Sequence, residues 1–448
     1  MRKIALILAV WCLPLLALAQ LETTLPSLTR LHQASYCNPA IIPSYKTSIG
    51  IPALSGIAIN LNLTALNANT IIKSLDSGNI NLNKVYDKMN DANLGIGLNT
   101  NIELLHVRFK SKKYYYGIHL TTRVSTQIGI SKELVGFAAY GNDYFAGRAM
   151  DASSTTINAL AFNELGFSVA RNFKKFNVGV RGKMYQGIAT AQLQKMQFKW
   201  QQPNNSTDEI IISTEAKLNT ANVPYLFDSL NGQPYKSASP TVGSFLGFKN
   251  KGLGFDLGAT YDVNNKLTLG ASLIDFGYIK WTNETYNYTS NPTTVKFSGM
   301  SYQQIDTKGA LDNYADSLLN LIKPTGDNKT FTTYLPWRYF ITANYKLNTK
   351  NTVGAIIQGR YSLGTMQQAY TVNFTHKFGK KVDVTTNYSI IGKTYANWGL
   401  GLAAKTGAFQ WYIIQDNLLA FFAPANAQVI TFRFGFNLVW GELKKQNN

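Results

Sequence analysis

Alternation of apolar and polar residues with a period of two constrains this chain more than any other feature of its sequence. It is clearest over residues 429–440, where every second side chain is apolar. The apolar set is Ile430, Phe432, Phe434, Phe436, Leu438 and Trp440, and the other set is Thr431, Arg433, Gly435 and Asn437. Because successive strand residues point to opposite faces, this pattern predicts a strand with an apolar outer face and a polar inner face.

The same pattern recurs near residues 176–183, 253–263 and 370–378. No apolar run after residue 19 approaches the roughly 18 residues that a membrane-spanning helix needs. Any integral membrane state must therefore be a closed β-barrel. The 25 Tyr, 24 Phe and 35 Gly also suit strands and turns. A secreted soluble sandwich of the same composition is the alternative.

Short polar turns alternate along the chain with connections that are mostly long, which is typical of outer-membrane barrels. Strands are predicted at 46–65, 95–109, 113–126, 161–172, 175–190, 252–263, 266–281, 333–348, 351–362, 368–378, 381–390, 396–405, 408–417 and 428–440. Two segments inside the longer connections, 131–139 and 309–322, have the apolar spacing of helices. The sequence thus predicts an all-β, transmembrane antiparallel β-barrel of about 14 strands, with both termini in the periplasm.

The first nineteen residues have the pattern of a secretory signal peptide, with Arg2 and Lys3 before an apolar run that ends in Ala17-Leu18-Ala19. We therefore expect cleavage near Gln20 and export to the cell outer membrane. The expected divisions are a signal peptide at 1–19, an N-terminal plug or periplasmic segment at 20–45, the barrel at 46–441 and a periplasmic tail at 442–448. After cleavage Cys37 is the single cysteine, so no internal disulfide is expected.

Charge and motif content argue against several classes of function. The formal net charge of +19 suggests nucleic-acid binding, but the lysines are scattered over short turns, and membrane lipid is the expected counterpart instead. None of the four His forms a Cys/His or His/Glu pair with ligand spacing, so neither a metal nor a cofactor is expected. No Gly-x-Ser-x-Gly element is present, and we expect no enzymatic activity.

Several short segments carry a family resemblance. Asn38-Pro39-Ala40 resembles the Asn-Pro-Ala element in the N-terminal region of the FadL-type fatty-acid transporters and of the related PorV-like proteins of Bacteroidota. With residues 50–55, 270–277, 416–419 and 433–441, it resembles a Bacteroidota outer-membrane family of unknown function, over essentially the whole mature chain. The resemblance implies a FadL-like barrel with an N-terminal plug that contains Asn38, Pro39 and Ala40. It implies no substrate.

Polar residues on the predicted inner faces are the candidate lining of the lumen. They are Arg181, Lys183, Asp256, Asp262, Arg433 and Asn437. Two interpretations stay open, because such residues either line a path for a solute or pair with one another and hold the N-terminal segment.

The leading functional hypothesis is passive uptake of small apolar molecules through a plugged lumen, by analogy with the FadL-type family. The alternative is a non-transporting barrel whose connections 191–251 and 282–332 dock a surface protein or a secretion-system partner. A structural barrel without cargo is a third possibility.

Overall fold

A computed structural model of the chain describes residues 21–76, 79–89, 93–141, 143–145, 147–201, 210–223, 229–230, 233–234, 249–297, 325–362, 364–392 and 394–443. The predicted signal peptide at 1–19, the predicted helix at 309–322 and most of the predicted tail at 442–448 lie outside these residues.

Strands dominate the described part of the chain. They are β1 (Tyr45–Gly50), β2 (Gly56–Thr64), β3 (Leu75–Asp76), β4 (Asn79–Ile80), β5 (Leu94–Ser111), β6 (Tyr114–Ile130), β7 (Ala149–Asp151), β8 (Thr156–Phe173), β9 (Phe176–Gln201), β10 (Ile210–Ala221), β11 (Ser229–Leu230), β12 (Gln233–Pro234), β13 (Asn250–Asp262), β14 (Leu267–Trp281), β15 (Thr285–Phe297), β16 (Thr325–Asp327), β17 (Phe331–Tyr334), β18 (Trp337–Lys346), β19 (Asn351–Ser362), β20 (Thr365–Phe378), β21 (Val382–Ile391), β22 (Thr394–Thr406), β23 (Phe409–Gln415) and β24 (Val429–Glu442).

Fourteen strand positions form one closed antiparallel sheet. The order around it is β1 with β2, β5, β6, β8, β9, β13, β14, β17 with β18, β19, β20, β21, β22, β23 and β24. The ring closes because β24 pairs with β23 on one side and with β1 and β2 on the other, where Thr47 lies opposite Trp440 and Ile59 opposite Phe432. The predicted fold class, an all-β antiparallel barrel of fourteen strands, is confirmed.

The two faces of the barrel wall differ as the alternation predicts. In β20 the side chain of Val372 is 58% exposed, whereas the neighbouring Thr371 and Asn373 are buried. In β24 the ring of Trp440 is exposed, and Asn437 is fully buried. The outer surface of the barrel is therefore apolar and its inner surface is polar.

The first predicted strand, 46–65, is interrupted at residues 51–55. Proline has no N–H to donate to the sheet, and Pro52 is followed by Ala53 in the left-handed region, with φ +59°. The Leu54 N–H bonds to the Ile51 carbonyl at 2.9 Å and forms a turn before the sheet pairing resumes at Gly56. The single predicted strand was therefore wrong at this point.

Part of the sheet continues beyond the closed ring, where the sequence predicted connections. β9 pairs with β13 as far as Gly187 and with β10 from Thr190 to Gln201, and β10 also pairs with β15. The predicted connections over 191–251 and 282–332 were wrong for these strands. Phe198 and Trp200 of β9 alternate with polar residues but pack against Phe145 and Met150, and Lys195 of β9 forms a surface ion pair with Glu215 of β10 at 2.6 Å. The apolar side chains of this extension are therefore covered by the connection between β6 and β8.

Helices occupy connections between strands. The α-helices are α1 (Ala68–Ile72), α2 (Leu82–Lys88), α3 (Lys132–Tyr140) and α4 (Leu418–Phe422), and the 3-10 helices are Leu25–Ser27, His32–Tyr36, Asp143–Phe145 and Pro424–Asn426. The predicted helix at 131–139 is confirmed by α3, which begins where the Ser131 hydroxyl accepts a hydrogen bond from the Leu134 N–H at 3.2 Å. Within the described ranges no helix is both long enough and apolar enough to cross a membrane.

The outer apolar face gives a first prediction. Val372 lies near the middle of β20, so Val372→Arg should lower the free energy of unfolding by about 2–4 kcal/mol when the protein is folded in lipid vesicles and titrated with urea. Phe378→Arg, on the same face at the end of the same strand, is the control and should cost at most about 1 kcal/mol. Equal losses at the two positions would contradict an apolar belt centred near Val372.

Candidate functional site

Residues 21–44, which we call the N-terminal segment, lie inside the barrel against its inner face. Leu25, Leu28 and Leu31 are each at most 1% exposed. They share one apolar cluster with residues of the barrel wall, namely Ile274, Phe340, Ile356, Ala403, Tyr412 and Ile414. Burial of a leucine side chain stabilises a fold by about 1.5–3 kcal/mol, so apolar contact is a main term in holding this segment.

Hydrogen bonds to the wall fix the segment at several points along its length. The Asp416 carboxylate accepts the N–H groups of Thr23 and Thr24 at 3.2 and 2.8 Å. Farther along, the side-chain amides of Gln33 and Asn437 bond to each other in both directions, at 3.0 and 3.1 Å. The N-terminal segment is therefore bonded to β24, the last strand of the barrel, which contains Asn437.

The Asn-Pro-Ala element is seated on the inner face of β13 and β14. The Asn38 Nδ2 donates to the carbonyls of Ala259 and Ala271 at 3.1 and 3.3 Å, and its Oδ1 accepts the Ala40 N–H at 2.9 Å. Gly179 of β9 faces the backbone of Pro39 so closely that a Cβ at that position would collide with it. The wall thus has a glycine at a point where the segment approaches closely.

A buried ion-pair network crosses the lumen, and Asp275 of β14 is its centre. Its carboxylate accepts Arg123 Nη1 at 2.8 Å, Lys183 Nζ at 2.5 Å and Arg338 Nη2 at 2.8 Å. Arg123 also reaches Glu164 at 2.8 Å. The Asp275 side chain is 1% exposed, so its carboxylate is a shared counter-charge for three cations, each of which also pairs with a second carboxylate.

The network continues to Asp256 of β13. Asp256 contacts Arg181 Nη1 at 2.8 Å and Lys183 Nζ at 2.9 Å, and it accepts the Asp275 N–H at 2.7 Å. The second guanidinium nitrogen of Arg181 donates to the Ser35 carbonyl at 2.9 Å. The network therefore bonds directly to the N-terminal segment.

Glu22 is the carboxylate that the N-terminal segment contributes to the lumen. Its oxygens contact Arg433 of β24 and, at 3.1 Å, Arg338 of β18. Arg338 in turn bonds to Asp275, so Glu22 is an extension of the same network. One carboxylate from the segment thus bridges cations of two different strands.

Two adjoining cavities remain in the lumen around these charges. The first has an empty volume of about 550 Å³ and is lined mainly by charged and polar residues, among them Glu22, Arg123, Glu164, Lys183, Arg338 and Arg433. The second, of about 590 Å³, has a lining that combines apolar and charged residues. The apolar residues are Val124, Leu160, Phe162, Leu335 and Pro336, and the charged residues are Glu22, Arg123, Asp275, Arg338 and Arg360.

The residues proposed from the sequence are in different places. Arg181, Lys183 and Asp256 lie together in the network, Arg433 lies with Glu22, and Asn437 lies with Gln33 and Gln410. Asp262 is apart from them at the end of β13, where it accepts a hydrogen bond from the Thr268 hydroxyl at 2.5 Å. Most of the set therefore contacts other protein groups. Their roles toward a solute stay predictions.

Asp275, the central residue of the network, is not among the lumen residues predicted from the sequence. Counting alternate residues back from Tyr278 and Phe276 puts Asp275 on the inner face, but counting forward from Leu269 puts it on the outer one. An extra residue in β14 causes this shift, because Phe255 pairs with Phe276 while Leu257 pairs with Leu273. The signal in the sequence was a carboxylate at the break of an otherwise regular alternation.

Comparisons with known proteins define a family and give structural likenesses. A family model described as "Family of unknown function (DUF5723)" matches residues 39–416. No curated protein matches the sequence.

Among solved structures, the barrel is similar to the Ralstonia pickettii toluene transporter TbuX, with 10% identity, coverage of 92% of this chain and 94% of that one, and a TM-score of 0.43. It is similar to the toluene transporter TodX of P. putida, with 9% identity, coverages of 92% and 94% and a TM-score of 0.42. It is also similar to a Pseudomonas aeruginosa FadL homologue, with 11% identity, coverages of 95% and 100% and a TM-score of 0.41.

The close contact at Gly179 gives a prediction about the N-terminal segment. Gly179→Ala should displace the segment from the wall, because the added methyl group occupies the space of the Pro39 carbonyl. Limited proteolysis of the folded protein should then cleave residues 21–44 at least about tenfold faster, as a loss of roughly 1.4 kcal/mol or more implies. Gly182→Ala is the control, because a Cβ at Gly182 of the same strand meets nothing within 4 Å. Unchanged protection in Gly179→Ala would refute the seating described here.

Removing the central carboxylate tests the network. Asp275→Asn should lower the free energy of unfolding by about 3–5 kcal/mol, because it removes the buried carboxylate that Arg123, Lys183 and Arg338 share and leaves the network with one uncompensated positive charge. Asparagine tolerates the left-handed backbone at this position, where φ is +65°, so the substitution changes mainly the charge. Asp262→Asn is the matched control, with an expected loss within about 0.5 kcal/mol. Urea unfolding measures both, and similar losses would mean that Asp275 has no special role.

Proposed function

We propose that this chain, which belongs to the DUF5723 family of unknown function, is an outer-membrane barrel that takes up a small amphipathic molecule through its lumen, with the N-terminal segment as the plug. The observation that carries the proposal is the second cavity, whose lining combines apolar residues with the guanidinium groups of three arginines.

The location in a membrane is supported by the outer face of the barrel. Large apolar side chains such as Leu253, Val372 and Phe378 are more than half exposed on it. Such a surface on a closed ring of strands is what the hydrocarbon core of a bilayer accommodates, because the ring leaves no unpaired edge. Strands that cross a membrane in this way are typical of the outer membrane of bacteria.

The chemistry of the cavity refines the ligand that the sequence suggested. A purely apolar molecule would contact only Val124, Leu160 and Phe162, whereas the guanidinium groups of Arg123 and Arg338, which already pair with Asp275, can also bond to an anionic group of a ligand. An apolar body with one anionic group can contact both the apolar residues and the arginines of this lining. The proposed ligand class is therefore a small organic anion with an apolar part, such as a medium-chain carboxylate.

Glu22 suggests how such a ligand and the plug interact. A ligand carboxylate would compete with Glu22 for Arg338 and Arg433, because these guanidinium groups now bind the Glu22 carboxylate. In uptake, the ligand carboxylate then takes the place of the Glu22 carboxylate, and the arginines keep a negatively charged partner throughout. The alternative, a docking barrel for a surface or secretion-system protein, stays a prediction, and no contact described above favours it.

Liposome transport of a defined probe tests the proposal. We expect the full mature chain, reconstituted in liposomes, to accelerate uptake of dodecanoate relative to protein-free liposomes. In binding assays on the detergent-solubilised protein, we expect weaker binding of dodecanol than of dodecanoate. Glu22→Gln should increase dodecanoate affinity by about tenfold, because it removes a competitor worth roughly 1.4 kcal/mol or more. Glu215→Gln, in a surface ion pair outside the barrel, is the control and should leave both measurements unchanged.

Absence of dodecanoate flux in a folded, heat-modifiable protein would overturn the transport proposal. Equal affinity for dodecanoate in wild type and Glu22→Gln would overturn the competition between ligand and plug.

A further inference from the structure

Three buried side chains meet where the N-terminal segment touches β5. His32 belongs to the 3-10 helix His32–Tyr36, and Glu103 and His106 belong to β5. His32 and Glu103 are 3% exposed and His106 is fully buried. One nitrogen of each histidine and one Glu103 oxygen all lie within 4.8 Å of one another. This distance is compatible with a single ion bound by all three residues.

A β-bulge brings the two strand residues to the same face. Residues three apart in a regular strand point to opposite faces, so Glu103 and His106 would not meet. Between Glu103 and Leu105 the register of β5 against β6 shifts by one residue, and both side chains then point inward. Bulges often re-aim side chains at functional sites.

Each of the two histidines has its Nε2 next to a hydroxyl group, so the Nδ1 of each ring is the candidate metal ligand. The Nε2 of His106 lies 3.0 Å from the Ser48 hydroxyl, and the Nε2 of His32 lies 3.2 Å from the Tyr36 hydroxyl. The Nδ1 of His106 contacts the Glu103 carboxylate. The buried Nδ1 of His32 has no hydrogen-bond partner in the part of the chain that the structure describes. Metal-binding histidines use one ring nitrogen for the ion and the other for an outer hydrogen bond, which is the arrangement found here.

We propose that His32, Glu103 and His106 form a site for a divalent transition metal, with zinc as the ion of choice, which fastens the N-terminal segment to the barrel wall. Two imidazoles and one carboxylate are a donor set that zinc accepts, and a water molecule would complete the tetrahedron. Nickel and copper also bind imidazole, so their competition with zinc is measurable. The site is distinct from the ion-pair network around Asp275.

Two features of the surroundings limit the affinity. The rings of His32 and His106 are stacked, with centroids 4.0 Å apart and planes 22° apart, so coordination requires the His32 ring to tilt until its Nδ1 points toward Glu103. Arg181 lies over the Tyr36 ring at 4.9 Å, and Arg108 bonds to the Ile41 carbonyl, so both add positive charge nearby. Asp256 compensates Arg181, and Glu103 supplies one negative charge to the ion itself. We therefore expect micromolar affinity in place of the tighter binding of four-ligand structural sites.

Zinc titration of the full mature chain, purified with a histidine-free tag and stripped of metal, tests the site. We expect one zinc ion per chain by elemental analysis, an increase of a few degrees in Tm at saturation, and zinc–nitrogen distances of about 2.0–2.1 Å by X-ray absorption. His106→Gln and His32→Gln should each weaken zinc binding by more than about tenfold.

His119→Gln is the matched control, because His119 is also buried in the lumen and bonds to a carboxylate, Glu164, at 2.9 Å. It should be destabilised like His106→Gln but should keep zinc affinity and the zinc-dependent change in Tm. Since His32 lies outside the barrel strands, His32→Gln should fold even if the strand variants do not. Absence of stoichiometric zinc in wild type, or equal loss of zinc affinity in His119→Gln, would overturn the proposal.

Discussion

Closure of the sheet is the constraint on which the rest of the structure depends. Pairing of β24 with β1 and β2 leaves the ring without an open edge, so the wall can expose apolar side chains outward along its whole circumference. The same pairing directs the alternate side chains into a narrow lumen, where polar groups cannot all reach water. Each inward charge therefore needs a partner within the protein, and the network around Asp275 follows from this need.

The N-terminal segment supplies a counter-charge and a hydrogen-bond acceptor to arginines of the barrel wall. Arg433 and Arg338 bind Glu22 of the segment, and Arg181 bonds to the Ser35 carbonyl as well as to Asp256. Buried ion pairs often add little net stability, because desolvation offsets much of their attraction. Their main effect is on position, since a segment displaced by a few ångströms would leave guanidinium groups unpaired. The charges thus fix where the segment lies, whereas its leucines contribute more to holding it there.

The sequence predicted the fourteen strands because each strand that meets the outer face must alternate, as residues 429–440 do. It failed where alternation is broken or absent. The extra residues in β5 and β14 shift the phase of the pattern, so the inward pairs formed by Glu103 with His106 and by Asp275 with Arg123 could not be derived by counting. β10 and β15 lie beyond the closed ring, and nothing requires an apolar face on them. Contacts between the segment and the wall join residues several hundred positions apart, which no local pattern encodes.

Under the proposed uptake, the distribution of contacts along the N-terminal segment indicates which part of it would move. A ligand carboxylate would replace Glu22 in its ion pairs with Arg338 and Arg433, so the cost of moving the first residues comes from the hydrogen bonds of Thr23 and Thr24 to Asp416 and from the burial of Leu21. Leu25, Leu28 and Leu31 bury three side chains at about 1.5–3 kcal/mol each, and no anionic ligand offsets that loss. Movement of the whole segment would therefore cost several kcal/mol more than movement of the residues before Leu25. A metal ion at His32 would raise this cost further, and the segment would then open at its first residues while the remainder stays bound to the wall.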